Sequence, residues 1–120
     1  MGEYESCKRP PCSQVDDGIT RVFALLGKRW TGLVVAVLLQ HPFYFTELRR
    51  AIPGITPRML SDRLSELVTA GLVARDVDEG PPLRVAYRLT DVGVALKPAF
   101  EALGLWAHTH LSATESAVQN

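Results

Sequence analysis

The chain has 120 residues, 47% of them hydrophobic, and its 13 basic and 13 acidic side chains give a formal net charge of zero. A chain of this length favours one domain with a single core that hides roughly two-thirds of the unfolded surface. The zero net charge excludes a protein that coats nucleic acid non-specifically, so any charge used in binding must be clustered locally.

Both ends of the chain are polar, and we predict a flexible arm at residues 1–15, a folded domain at 16–111 and a flexible tail at 112–120. The N-terminal residues lack the apolar stretch of a secretory leader. The apolar run Leu33–Leu39 is far shorter than the ~20 residues that cross a bilayer. We therefore expect a cytoplasmic protein without a membrane partner.

Two short helices are predicted in the middle of the chain. The first spans Phe45–Ala51, with Thr46 as its N-cap and Leu48 and Ile52 pointing inward, and the following Pro-Gly pair ends it. The second begins with Thr56 as N-cap and a proline at the first helical position, and it ends near a glycine suited to a left-handed C-terminal cap. Its predicted buried stripe consists of Leu60, Leu64, Leu67 and Val68.

The opposite face of this second helix is polar and carries short side chains that form hydrogen bonds. It consists of Arg58, Asp62, Ser65 and Thr69, flanked by Met59, Ser61 and Glu66. A helix that contacts base edges in a major groove needs such a face. The alternative is an ordinary solvated surface, and the elements around the helix favour the DNA-contacting function.

The segments Leu72–Val77 and Arg84–Leu89 alternate apolar and polar residues around a turn, which predicts two strands that form a wing. Arg84 and Arg88 are candidates for the sugar-phosphate backbone, and Arg84 is the stronger one. Asp76, Asp78 and Glu79 add negative charge to the same ribbon, which counts against both. The order of elements predicts a winged helix-turn-helix, a mainly α fold with a small β-wing (α+β), extended by N- and C-terminal dimerisation helices.

Apolar helices at both chain ends predict a dimer seam. One runs from about Asp16 to Leu26; the other begins at Thr90 and is kinked or split by Pro98. Together they present more apolar surface than a small core can cover, and the alternative is that both pack within their own subunit. The predicted interface residues are Ile19, Val22, Phe23, Leu26, Phe100, Leu103 and Trp106.

The predicted DNA interface gathers basic and short polar residues from the centre of the chain. Each basic residue alone is more often an ordinary solvated charge, so their grouping on one surface carries the prediction. The candidate contacts are Lys28, Arg29, Thr46, Arg49, Thr56, Arg58, Met59, Ser61, Asp62, Ser65 and Arg84.

Three ordered blocks resemble the HxlR-type winged-helix transcriptional regulators of bacteria. They are LLGKRWTGLVV (Leu25–Val35), FTELRRAIPGITPRMLSDRLSELVTAGLVAR (Phe45–Arg75) and YRLTDVG (Tyr87–Gly93), and the likeness covers about Gly18–His110. The resemblance implies a homodimer on a palindromic operator of double-stranded DNA. Repression and activation both stay open as the outcome of binding, and we expect repression. Twofold symmetry then sets two half-sites about 34 to 36 Å apart.

The resemblance also implies a response to oxidants or small electrophiles through a cysteine before the first helix. Cys12, followed by Ser13, is the nearest match, and Cys7 is the second candidate. The basic residues Lys8 and Arg9 lie between them and favour the reactive thiolate. With no other cysteine present, any bridge joins these two positions, within or between chains. Two unreactive thiols are the alternative.

An enzyme is not expected, because the chain has no phosphate loop, paired-carboxylate motif or nucleophile with an evident base. No cofactor and no metal are expected either, since two thiolates leave a tetrahedral ion half-ligated. His108 and His110 complete such a site only if the chain ends meet. The remaining alternative function is a winged-helix module that binds proteins without binding DNA.

Overall fold

The computed structural model describes residues 14–111, so most of the predicted arm and all of the predicted tail lie outside it. The helices are α1 (Asp17–Leu26), α2 (Thr31–Leu38), α3 (Phe45–Ala51), α4 (Pro57–Thr69), α5 (Asp91–Val94) and α6 (Lys97–His110). The strands β1 (Phe43–Tyr44), β2 (Val73–Asp78) and β3 (Arg84–Leu89) form one antiparallel sheet in the order β1-β3-β2. The predicted winged helix-turn-helix is confirmed. In residues 14–111, no helix has the length and apolar character needed to cross a membrane.

The core lies around α2, whose sequence is almost entirely apolar and which contacts α1, α3, α4 and β3. Leu48 and Ile52 of the first predicted helix point inward, as expected. The buried apolar residues are Val34, Val35, Leu38, Leu48, Ile52, Ile55, Leu60, Leu64, Leu67, Leu72, Val73 and Leu89. Helices α2, α3 and α4 and the sheet each turn one side toward this core. The other side of α4 is exposed to solvent.

Helix α3 starts differently from the prediction, because Thr46 is not its N-cap. Tyr44 occupies that position in extended conformation, and its backbone N–H donates to the Glu47 carboxylate at 2.8 Å. Tyr44 also ends the two-residue strand β1, which pairs with β3 and was not predicted from the sequence. Pairing with the sheet fixes where the extended chain stops, so the helix begins at Phe45 and Thr46 lies inside it.

Helix α4 begins and ends as predicted. The Thr56 hydroxyl accepts from the Met59 backbone N–H at 3.1 Å, and Pro57 is the first helical residue. Gly71 follows the helix with a φ of +87°, a conformation that glycine adopts without steric cost. The predicted stripe is buried except for Val68, which is 38% exposed. Val68 lies on the flank of α4 beside the wing, where the two-stranded ribbon leaves it open.

The two strands of the wing match their predicted ranges to within one residue. Leu72 is not part of β2, because its backbone N–H donates to the Leu67 carbonyl and completes the end of α4. The C-terminal helix is split, as Pro98 predicted. The break lies at 95–96, since the proline has no N–H to donate and its ring excludes the carbonyl four residues earlier.

Candidate nucleic-acid interface

The outer face of α4 is the centre of the candidate interface. Arg58, Ser61, Asp62 and Ser65 are all exposed there, while the other side of the helix is buried in the core. Met59 is half-buried against that core, so less of its side chain is available for contact. The structure thus presents a polar face on a helix that cannot rotate without exposing three buried leucines.

The flank of α4 that faces away from the wing carries a small charge cluster. Glu66 pairs with Lys28 at 3.4 Å and with Arg63 at 3.3 Å. Lys28 precedes α2, so this pair ties the α1–α2 turn to α4. The Arg63 side chain is only 20% exposed, and its ion pair with Glu66 lies within α4. Lys28 is therefore already engaged in the structure, which weakens its candidacy as a DNA contact.

The other basic candidates near the helix-turn-helix are exposed. The Arg29 guanidinium lies over the Trp30 ring, 4.6 Å from its centroid. Arg49 is exposed on α3 near Thr46, and within residues 14–111 no carboxylate lies within 4 Å of either arginine. Thr56 is exposed as well, although its hydroxyl oxygen already accepts the capping bond.

The two arginines of the wing have different environments. Arg88 pairs with Asp76 at 2.8 Å, across the two strands of the ribbon. The Arg84 guanidinium instead lies 3.8 Å from the centroid of the Tyr44 ring, and no carboxylate described here lies within 4 Å of it. This arrangement supports Arg84 over Arg88 as the backbone contact, because its charge is positioned by an aromatic ring and is not neutralised.

Arg75 and Tyr87 are direct cross-strand partners in the wing, and neither was predicted from the sequence as a site residue. Both line a groove between the ribbon and α4, together with Ser61, Ser65 and Thr69. The alternation of side chains along β2 could have predicted the position of Arg75. It is two residues after the buried Val73, so the two side chains lie on the same side of the ribbon. Tyr44, which positions Arg84, was missed because β1 was not predicted.

The candidate dimer residues lie on α1 and α6 and divide into two groups. Leu26 and Phe100 are half-buried against the core of their own subunit. The other five are exposed although they are apolar, and Phe23 and Leu103 are more than 60% exposed. This second group consists of Ile19, Val22, Phe23, Leu103 and Trp106. Exposed apolar side chains are typical of interaction sites when they form one contiguous patch.

Cys7 and Cys12 lie outside the described residues. Within residues 14–111, no group of three or more histidine, cysteine or acidic side chains is placed to hold a metal ion. His108 and His110 lie in the last turn of α6 and are exposed.

Sequence comparisons place this geometry among known regulators. Residues 25–115 match the family described as HxlR-like helix-turn-helix. The chain is 44% identical over 85 residues to the HTH-type transcriptional regulator YodB of Bacillus subtilis (strain 168), covering 71% of this chain and 76% of YodB. It is 43% identical over 107 residues to YvaP, an uncharacterised HTH-type transcriptional regulator of the same organism, covering 89% and 91% of the two chains.

Solved structures show the same fold. The reduced form of YodB from B. subtilis superposes with a TM-score of 0.72 at 37% identity, covering 82% of this chain and 97% of that one. YodB has also been solved in diamide-treated and quinone-bound forms. The redox regulator HypR in its reduced form gives a TM-score of 0.76 at 31% identity, covering 83% and 99%. These relatives are regulators and not enzymes, and the chain belongs to the HxlR-like helix-turn-helix family.

Proposed function

We propose that the protein binds operator DNA as a homodimer, acts in the cytoplasm and represses transcription. The observation that carries the proposal is the outer face of α4, where Arg58, Ser61 and Ser65 are exposed on a helix locked into the core from behind. Such a helix fits a major groove about 12 Å wide, and its first turns contact the base edges. Arg84, held over the Tyr44 ring on the wing, is the proposed contact to the DNA backbone.

The exposed apolar residues of α1 and α6 support the dimer. Burying them against a second copy removes apolar surface from water and relates the two α4 helices by a twofold axis. The operator is then palindromic, with half-sites about one turn of duplex, 34 to 36 Å, apart. A dimer also doubles the number of contacts, which a single small interface needs for tight binding.

Footprinting on the intergenic DNA upstream of the chain's own gene, followed by affinity measurements over a range of salt concentrations, tests this proposal. We expect one protected palindrome and an affinity that falls steeply with salt, because binding displaces counterions from the phosphates. The same titration against a mixed-sequence duplex measures specificity. A protein-interaction module without DNA binding predicts no protection and no affinity for either duplex, and that result would refute the proposal.

We further propose that oxidants or electrophiles release the protein from its operator through Cys12, with Cys7 as its partner. The diamide-treated and quinone-bound forms of YodB support this response in a relative 44% identical over the matched residues. Diamide takes two electrons and two protons from a pair of thiols, which join as a disulfide. A quinone instead adds directly to one thiolate sulfur.

Diamide is expected to release operator DNA from the parent protein but not from Cys12→Ser, because serine cannot form the disulfide. Fluorescence anisotropy of a labelled operator, before and after oxidation and again after a reductant, measures the release. Cys7→Ser is the matched variant: lost release supports a Cys7–Cys12 bridge, and retained release would exclude Cys7 as the partner of Cys12. Equal release from the parent and Cys12→Ser would remove Cys12 from the mechanism.

A further inference from the structure

A groove between α4 and the β2–β3 ribbon carries a set of anion-binding groups without an acidic neighbour. Ser61, Ser65 and Thr69 contribute hydroxyls from the helix, and Arg75 and Tyr87 face them from the ribbon. Leu64 and Val68 complete its lining. Within residues 14–111, no carboxylate lies within 4 Å of the Arg75 guanidinium.

The charged side chains of the ribbon are divided between its two faces. Successive residues of a strand point to opposite sides, so Arg75 and its cross-strand partner Tyr87 share the face that packs on α4. Asp76 and Arg88 lie on the other face, where they neutralise each other at 2.8 Å. The helix-facing side therefore holds the Arg75 guanidinium with no carboxylate within 4 Å, whereas Arg84, on the other face, lies over the Tyr44 ring.

The polar side chains of α4 are also divided, with hydroxyls on one flank of the helix and a carboxylate on the other. At 100° per residue, Ser61 and Ser65 lie on the flank toward the wing, whereas Glu66 lies on the opposite flank. Glu66 is engaged there by Lys28 and Arg63. Neither Asp62 nor Glu66 lines the groove. Helix and ribbon together thus form a channel of hydroxyls around one positive charge.

We propose that this groove binds a phosphate of the DNA backbone, with Arg75 supplying the charge and the Tyr87 and serine hydroxyls donating hydrogen bonds. The inference rests on the proposed function, because an α4 lodged in the major groove turns its two flanks toward the two backbones that border it. A guanidinium matches the geometry of phosphate oxygens. Arg75 sets the position of α4 on the duplex and is not a determinant of its sequence preference.

The salt dependence of DNA affinity tests the groove with two arginines of the same strand pair. Arg75→Gln is expected to lower the slope of log affinity against log salt by about 0.9 per protomer, or about 1.8 for a dimer on B-DNA. The loss should be equal on a footprinted operator duplex and on a mixed-sequence duplex of the same length. Arg88→Gln changes the net charge identically, but Arg88 is paired with Asp76 on the other face of the ribbon, so this variant should retain most of the slope.

Two further variants separate charge from hydrogen bonding. Arg75→Lys keeps the charge and should keep the slope. Tyr87→Phe removes one hydroxyl without a charge, so it should weaken binding to both duplexes about three- to tenfold at an unchanged slope. Melting curves check that each variant is folded. Arg75 is exposed, so we expect its replacement to leave the fold intact.

The possible outcomes test phosphate binding in the groove separately from the DNA binding that it presupposes. A parent protein without steep salt dependence on either duplex overturns the proposed DNA binding, and the groove with it. A parent protein that binds steeply, together with an unchanged slope for Arg75→Gln, overturns the groove alone. Equal loss from Arg75→Gln and Arg88→Gln also overturns it, since that result reflects net charge and not a site on one face.

Discussion

Replacing Arg58 by alanine is expected to weaken operator binding at least about thirtyfold, because one good arginine contact is worth about 1–3 kcal/mol and the dimer loses two. Arg58 is exposed in the first turn of α4, the part of the helix that enters a major groove. No carboxylate among residues 14–111 lies within 4 Å of its guanidinium. The fold should be unaffected, since the side chain packs on nothing in the core.

Isothermal titration or anisotropy on operator and mixed-sequence duplexes measures the Arg58 effect. A loss confined to the operator identifies a contact to a base edge, and an equal loss on both duplexes identifies a phosphate contact. Arg21→Ala is the matched control, because Arg21 is an exposed arginine on the side of α1 away from the predicted seam, paired with Asp17. Unchanged affinity for both duplexes would remove Arg58 from the interface.

Replacing Trp106 by alanine is expected to raise the dimer dissociation constant about a thousandfold. Truncating a tryptophan at the centre of an interface typically costs about 2 kcal/mol or more, and twofold symmetry removes two copies at once. Trp106 is 53% exposed in the subunit, next to Leu103 on the same face of α6. The midpoint of thermal unfolding should fall as well and should depend on protein concentration.

Sedimentation equilibrium gives the dissociation constant, and scanning calorimetry gives the unfolding midpoint. Leu105→Ala is the matched control, because Leu105 is 68% exposed and lies about 100° around α6 from Trp106 and about 160° from Leu103. We expect a much smaller effect from it. An unaltered dissociation constant and an unaltered midpoint for Trp106→Ala would contradict the seam, whereas a lowered midpoint alone would assign Trp106 to packing within its own subunit.

The helix and strand assignments show which features depend on neighbouring residues alone. The Thr56 cap, the glycine after α4 and the break before Pro98 were predicted because each depends on hydrogen bonds or clashes within one turn of the chain. The buried leucines of α4 followed from helical periodicity for the same reason. The prediction of Thr46 as N-cap was wrong because Tyr44 occupies that position. Tyr44 is held there by strand pairing with Ala86, far along the chain.

The sequence by itself determined the order of elements, the family and the polar face of α4, since periodicity and local capping specify them. Only the tertiary structure decided which charges are available for binding. Lys28 meets Glu66 across 38 positions, Arg88 meets Asp76 across 12, and Arg75 is left facing hydroxyls in the groove. An ion pair depends on which segments the fold brings within a few ångströms, and no local pattern encodes that distance.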